Sequence, residues 1–345
     1  MYINFLYMGL LSLVLTFIFT PATMYLAKKV GAIDYPGERR VHRKPIPRLG
    51  GVAMYLSFIA AAWYFLHPLN NQIIGLLAGA TVILGVGIYD DIKGVSPKAK
   101  FLGQVIAAMV LLFFGYQIDK LTLPWFGEVI LPGVWGSVFV LLWVVSLVNT
   151  VNITDGLDGL AAGICFGACL VLLWSAVQIG MFQAAYLMAG LAGVCLGFLF
   201  FNFHPAKVFM GDSGSMFLGF AIAAISINGL LKTTALFGLV LPLLALGMPI
   251  FDLTFAVIRR KWRGQPIAMA DRGHFHHRLL DLGLTHRQAV LALYSLSALL
   301  AGAAFFASLE DWRWAISLTM VVVSILLTVL FVKGPSELPR RTGGK

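Results

Sequence analysis

Four stretches of the 345-residue chain gather acids, amides and imidazoles at spacings that suit phosphate chemistry: "YDDIKG" at 89–94, "NTVNITDGLDGLAAG" at 149–163, "FNFHPAKVFMGDSGS" at 201–215 and "DRGHFHHRLL" at 271–280. Asp90 and Asp91 close an apolar run, 72–89, at what would be a helix C-terminus, where a cation is the better fit. They read either as solvated loop acids or as a polar site at membrane depth. Lys93, Lys98 and Lys100 follow at once, suited to phosphates or to anionic headgroups. Asp155 and Asp158 are three apart, so they share a face if a helix begins there. Capping by Thr154 or Asp155 would account for one of them and leave Asn149, Asn152 and Asp158 unexplained. Pro205 should end a helix, and Gly211 and Gly214 would let backbone N–H groups at the next helix start approach an anion. Asp212 at that start is either a plain N-cap or part of a site. His274, His276 and His277, flanked by Arg272 and Arg278, lack the wider four-ligand spacing of a zinc centre. Arg forks and imidazoles suit a diphosphate and hydroxyls instead. Asp252, in "PIFDLTF", adds one more acid inside an apolar segment.

The elements that must position these residues are membrane helices. The chain is 59% hydrophobic and 12% charged, with a mean hydropathy of +0.88, outside the soluble range. Eleven apolar segments of about crossing length can be placed, at 3–27, 49–66, 72–89, 101–117, 134–151, 158–177, 183–201, 214–229, 234–258, 288–308 and 313–332. The first has no basic residue before it and Lys28-Lys29 after it, the reverse of a secretory signal, so it is expected to be retained with the N-terminus outside and the C-terminus cytoplasmic. On that orientation 22 of the 25 Lys and Arg residues fall in inward loops, leaving Lys120, Lys232 and Arg313 outside. The net charge of +10 is then explained without nucleic acid. The expected fold is all-α and polytopic, a single domain over 1–345, with a small outward hairpin near 118–133 and a cytoplasmic recognition loop at 259–287. Pro242 and Pro249 should bend the ninth span. Cys165, Cys169 and Cys195 all lie in apolar segments and read as packing residues.

All four constellations fall on the same predicted face as most of the basic residues. Asp and Asn oxygens suit a hard cation, and Mg2+ is the usual choice where phosphates share the shell. The pattern therefore points to phosphate chemistry at the inner membrane surface, without a Walker-type glycine loop. An ion-coupled transporter is the rival reading, but it wants acids near the bilayer midplane rather than at span ends.

Taken in order, "DDIKG", "PKAKFLGQ", "NTVNITDGLDGLAAG", "HPAKVFMGDSGS", "PIFD" and "DRGHFHHRLL" resemble the signatures of the polyprenyl-phosphate N-acetylhexosamine-1-phosphate transferases. The likeness runs from "HRKPIPRLGG" at 42–51 to the His-rich loop. That loop resembles the bacterial N-acetylglucosamine branch rather than the muramoyl-pentapeptide branch. The resemblance implies attack of undecaprenyl phosphate on a UDP-N-acetylhexosamine in the bacterial inner membrane, at its cytoplasmic face. This would be the first membrane step of a surface glycan such as teichoic acid or O-antigen, and it allows for a homodimer. It implies Mg2+, with Mn2+ as an alternative. Asp90 would take the lipid phosphate proton, Asp91 would lie by the metal, and Asp212 and Asn152 would be metal ligands. Asp155 and Asp158 would join the catalytic acids and shape the nucleotide pocket. Arg272, His274, His276, His277 and Arg278 would hold the diphosphate or sugar, and Lys44 and Lys100 the lipid phosphate. Lys93 departs from the spacing of one branch, which leaves its role open.

Overall fold

The computed structural model describes residues 2–36, 44–123, 127–231, 239–262, 264 and 273–331. Helices dominate them, and ten of the eleven apolar segments expected from the sequence each coincide with one. The first seven are α1 (Tyr2–Val30), α2 (Gly50–Leu66), α3 (Asn71–Lys93), α4 (Pro97–Phe113), α5 (Val134–Thr154), α6 (Leu160–Gln178) and α7 (Phe182–Asn202). The eighth, α8 (Gly211–Ser226), runs on into a π-helical turn at Ile227–Leu231. The ninth segment is broken, as its prolines lead one to expect, into α9 (Val240–Ala245) and α10 (Gly247–Trp262). A short helix not foreseen in the sequence, α11 (Phe275–Asp281), precedes α12 (His286–Ser308) and α13 (Trp312–Phe331). Seven of these, α1, α3, α5, α6, α7, α12 and α13, are long and apolar enough to cross a membrane. Helices α2, α4 and α8, of 17, 17 and 16 residues, are shorter than the roughly 20 that a full crossing takes.

Helix α8 is the axis of the bundle. Apart from Asp212 its residues are buried, and α2, α3 and α5 pack around it while α7 joins α1 to α6. One apolar core runs from Phe5 to Leu330, and the three cysteines are buried in it as free thiols. Glycines allow the closest approaches: a Cβ on Gly51 or Gly87 would overlap the backbone at 213–214. The starts of α2 and α8 and the last turns of α3 are thereby pressed together at one end of the bundle.

Two small antiparallel pairs complete the fold. β1 (Ile33–Asp34) pairs with β2 (Ile46–Pro47), with Asp34 opposite Ile46. β3 (Lys120–Leu123) and β4 (Gly127–Ile130) form the hairpin expected near 118–133, with Lys120 opposite Ile130.

Candidate active site

The geometry starts with a tight reversal. Gly94, at φ +76, ends α3 with its N–H on the Asp90 carbonyl. Ser96 then caps α4 by accepting from Ala99 N–H, with Pro97 in the first turn. So short a turn folds Lys100 back over the end of α3, where its Nζ lies 2.8 Å from Asp90 Oδ2. The same ammonium also contacts Asp212. Lys100 thus joins two acids 122 positions apart in the chain.

Asp91 points the other way, into the protein. Its side chain is fully buried and caps α8 from a different helix. Asp212 N–H donates to Oδ1 at 2.9 Å, while Ser213 N–H and Oγ–H donate to Oδ2 at 3.1 and 2.7 Å. Carboxylates are favoured at such a helix start. The α8 amides expected to meet a substrate anion are therefore taken by the protein's own carboxylate. Gly211, at φ +68, makes the approach possible, because a Cβ there would strike the Asp91 carboxylate and the Arg48 carbonyl. Asp212 is not an N-cap, since α8 has no side-chain cap; its Oδ1 accepts from Asn152 Nδ2 at 3.0 Å. Asn152 Nδ2 also donates to Ser215 Oγ at 2.9 Å. Asn149 is explained as packing, its amide paired with that of Gln104 at 2.7 and 3.3 Å.

Beside Asp212 opens a cavity of about 310 Å3, lined by Arg48, Asn152, Asp155, Asp158 and His277 among others. Helix α6 begins only at Leu160, so Asp155 and Asp158 do not share a helix face as the three-residue spacing suggested. They sit instead on the turn 155–159 and converge on the cavity from there. Gly159, at φ +81, closes that turn; its N–H donates to Asn202 Oδ1 at 3.0 Å and its carbonyl accepts from Tyr294 Oη–H at 2.6 Å. Burial, and then the charges of Asp212, Asp91 and Asp158, push the Asp155 carboxyl up to about 8, with Arg48 pulling the other way. Asp158 accepts from Ala206 N–H and contacts His204 Nδ1 at 2.7 Å, and its own N–H donates to Nε2 of His286.

The His-rich segment divides. His277 lines the cavity. His274 is buried, 3.1 Å from Asp252, which also accepts from Phe275 N–H and so ties α11 to α10. His276, 5% exposed, packs under the turn 155–159, where a Cβ on Gly156 would overlap its ring. Burial, with His277 beside it, pulls His276 down to about 3, so its imidazole is neutral. Arg278 turns away and donates to the Val329 and Leu330 carbonyls at the end of α13, a helix C-terminus that favours a cation. Arg272 lies outside the described residues. Lys44 is exposed and outside the cavity lining, and Lys93 is exposed, with Nζ 5.5 Å from the Tyr89 ring centroid. Three residues of the site were not foreseen: Arg48 and Asp34, in a segment that reads only as a basic loop, and His286. For His286 the one sequence signal is the capping pair Thr285 and Gln288 that fixes the start of α12.

Acids and one lysine thus gather at one end of a bundle of apolar helices with a cavity beside them, an arrangement with the charges that phosphate chemistry at a membrane surface would use. A family model, glycosyl transferase family 4, matches residues 73–230, which hold the Asp90–Asp91, Asn152–Asp158 and Asp212 elements. The chain is 40% identical to a probable undecaprenyl-phosphate N-acetylglucosaminyl 1-phosphate transferase of Bacillus subtilis, over 83% of this chain and 80% of that one. It is 35% identical to a decaprenyl-phosphate N-acetylglucosaminephosphotransferase of Mycobacterium tuberculosis, over 93% and 87%. It is 31% identical to a phospho-N-acetylmuramoyl-pentapeptide-transferase of Halalkalibacterium halodurans, over 88% and 96%. The chain belongs to glycosyl transferase family 4. Within that family its place is in the branch of polyprenyl-phosphate N-acetylglucosamine-1-phosphate transferases.

Proposed function

We propose that the protein transfers N-acetylglucosamine 1-phosphate from UDP-N-acetylglucosamine to undecaprenyl phosphate, giving undecaprenyl-diphosphate-N-acetylglucosamine and UMP. The observation that carries this reading is the position of Asp212. It lines the soluble cavity on one side and meets Lys100 and Asp90, from the membrane helices α3 and α4, on the other. The nucleotide sugar is assigned to the cavity and the lipid phosphate to Lys100. Asp90, held by Lys100 and by Val95 N–H, takes the lipid phosphate proton. The lipid phosphate oxygen then bonds to the β-phosphorus as the bond to the bridging oxygen breaks, and that oxygen leaves with UMP. Most of the gain comes from holding the two phosphates in line beside fixed charges.

The donor set fits a hard cation. Five acids, Asp90, Asp91, Asp155, Asp158 and Asp212, gather around Lys100 and Arg48, so carboxylates outnumber the described cations beside them. Asp91 is fully buried and committed to the start of α8, whereas Asp212 and Asn152 line the cavity, so the ligands we assign are Asp212 and the Asn152 amide oxygen, with Asp91 as the brace behind them. Those oxygens would hold Mg2+, with Mn2+ as a substitute, which supplies charge neutralisation on the diphosphate. His277 faces the sugar or diphosphate. We infer further that the chain crosses the bacterial inner membrane eleven times with this end of the bundle in the cytoplasm, from the 22 of 25 basic residues in inward loops.

Release of UMP by the purified protein in detergent tests the reading, with undecaprenyl phosphate and either UDP-N-acetylglucosamine or UDP-muramoyl-pentapeptide, in Mg2+ or in EDTA. Lipid- and Mg2+-dependent UMP from the first sugar alone is expected. Release from the second alone would keep the chemistry and overturn the sugar. Release from neither, by a folded protein, would overturn the reaction.

A further inference from the structure

We propose that Arg48 is a phosphate ligand of the nucleotide sugar, a role that rests on the cavity being the nucleotide site. Among the described residues lining the cavity, Arg48 is the one Arg or Lys, facing Asp34, Asp155, Asp158 and Asp212. A diphosphate entering among four carboxylates needs a cation on the protein side, and a guanidinium binds two phosphate oxygens at once.

The backbone at Arg48 is fixed while its side chain is under-committed. Arg48 N–H donates to the Ala32 carbonyl at 3.0 Å, and on either side Phe209 N–H donates to Pro47 and Gly50 N–H to Phe209, at 2.8 and 3.1 Å. The Cα is thereby stitched to the segment that leads into Asp212, and the Arg48 carbonyl abuts Gly211. The guanidinium, by contrast, lies 3.6 Å from Asp34 and 3.4 Å from Asp91, with 30% of the side chain exposed. Both separations exceed the roughly 2.7–2.9 Å of a charge-assisted hydrogen bond. A small side-chain rotation would therefore exchange two long carboxylate contacts for a short phosphate fork without moving the backbone. Asp34, placed by the β1–β2 pair, holds the guanidinium at the rim until then.

Equilibrium dialysis of UDP and of uridine against purified wild type, Arg48→Lys and Asp34→Asn, in Mg2+, tests this. Wild type should bind UDP more tightly than uridine. Arg48→Lys keeps the charge but not the fork, and should weaken UDP about 10- to 100-fold, the worth of one charged hydrogen-bonded contact, with uridine unchanged. Asp34→Asn removes one of the four carboxylates that face the diphosphate and loosens the guanidinium from the other side, so it should tighten UDP relative to uridine. If Arg48→Lys keeps the wild-type preference for UDP, or weakens uridine equally, Arg48 is not a phosphate ligand. A loss of UDP binding in Asp34→Asn as large as that in Arg48→Lys would make the pair a brace and overturn the proposal. No binding of either compound by wild type would overturn the nucleotide site itself, and the role of Arg48 with it.

Discussion

Asp91→Asn should lower stability more than Asp212→Asn does, while both should lower activity. Asp91 is fully buried, and its two oxygens accept from Asp212 N–H, Ser213 N–H and Ser213 Oγ–H, with Arg48 at 3.4 Å. An asparagine has the same shape but replaces one oxygen with an NH2. Its least costly orientation faces that NH2 to Ser213, whose Oγ can accept, and so leaves Ser213 N–H buried without an acceptor. An orphaned buried donor costs about 1–3 kcal/mol, and losing the negative charge at the start of α8 about 0.3–1 more. The total is about 1–4 kcal/mol, which at about 2–4 °C per kcal/mol for a chain of this order lowers Tm by roughly 3–16 °C. Asp212→Asn orphans no buried donor at the helix start; it gives up its half of the Lys100 ion pair and a charge in the first turn of α8, and relieves one acid next to Asp90, so its loss of stability should be about 1 kcal/mol or less. Both variants should lose about 10²- to 10³-fold in turnover, because either change disturbs a fixed charge at the reacting phosphates. Thermal unfolding in detergent with EDTA isolates the protein contribution, and UMP release in Mg2+ reads the activity. If Asp91→Asn melts with wild type while turnover is lost, Asp91 acts on substrate or metal rather than as the cap of α8.

Three further outcomes are expected. Gly211→Ala puts a Cβ onto the Asp91 carboxylate at φ +68, so it should cost at least about 2 kcal/mol by thermal unfolding and abolish UMP release. Lys100→Met leaves Asp90 and Asp212 facing each other without their shared cation; kinetics with undecaprenyl phosphate varied should show about 10²-fold lower kcat/KM, and unchanged lipid dependence would refute the assignment. For His276, burial holds the imidazole at about 3, below its ordinary 6.5. The folded chain then binds fewer protons than the unfolded one, so this stability is present above pH 6.5 and is lost as pH falls from 6.5 toward 3. His276→Gln should flatten that part of the Tm-against-pH curve, and an unchanged slope would contradict the burial.

The amino-acid sequence determined the membrane character, the helical segments and the acids of the site. Crossing length is a local property, set by about 20 apolar residues in a row, so it can be read without knowing what packs where. Acids at the ends of such segments stand out for the same reason, and Asp90, Asp91, Asn152, Asp155, Asp158 and Asp212 do meet at one end of the bundle. Tertiary structure alone decided how they divide the work. Asp90 and Asp91 are neighbours in sequence, yet one meets Lys100 and the other caps a helix 120 positions away, because adjacent residues near a helix end point about 100° apart. His276, His277 and Arg278 likewise read as one donor cluster, but α11 turns His276 under the 155–159 turn, His277 into the cavity and Arg278 onto the end of α13. Arg48 was invisible as a site residue because its partners are supplied by glycine-mediated contacts between chain segments that carry no mutual signal in sequence.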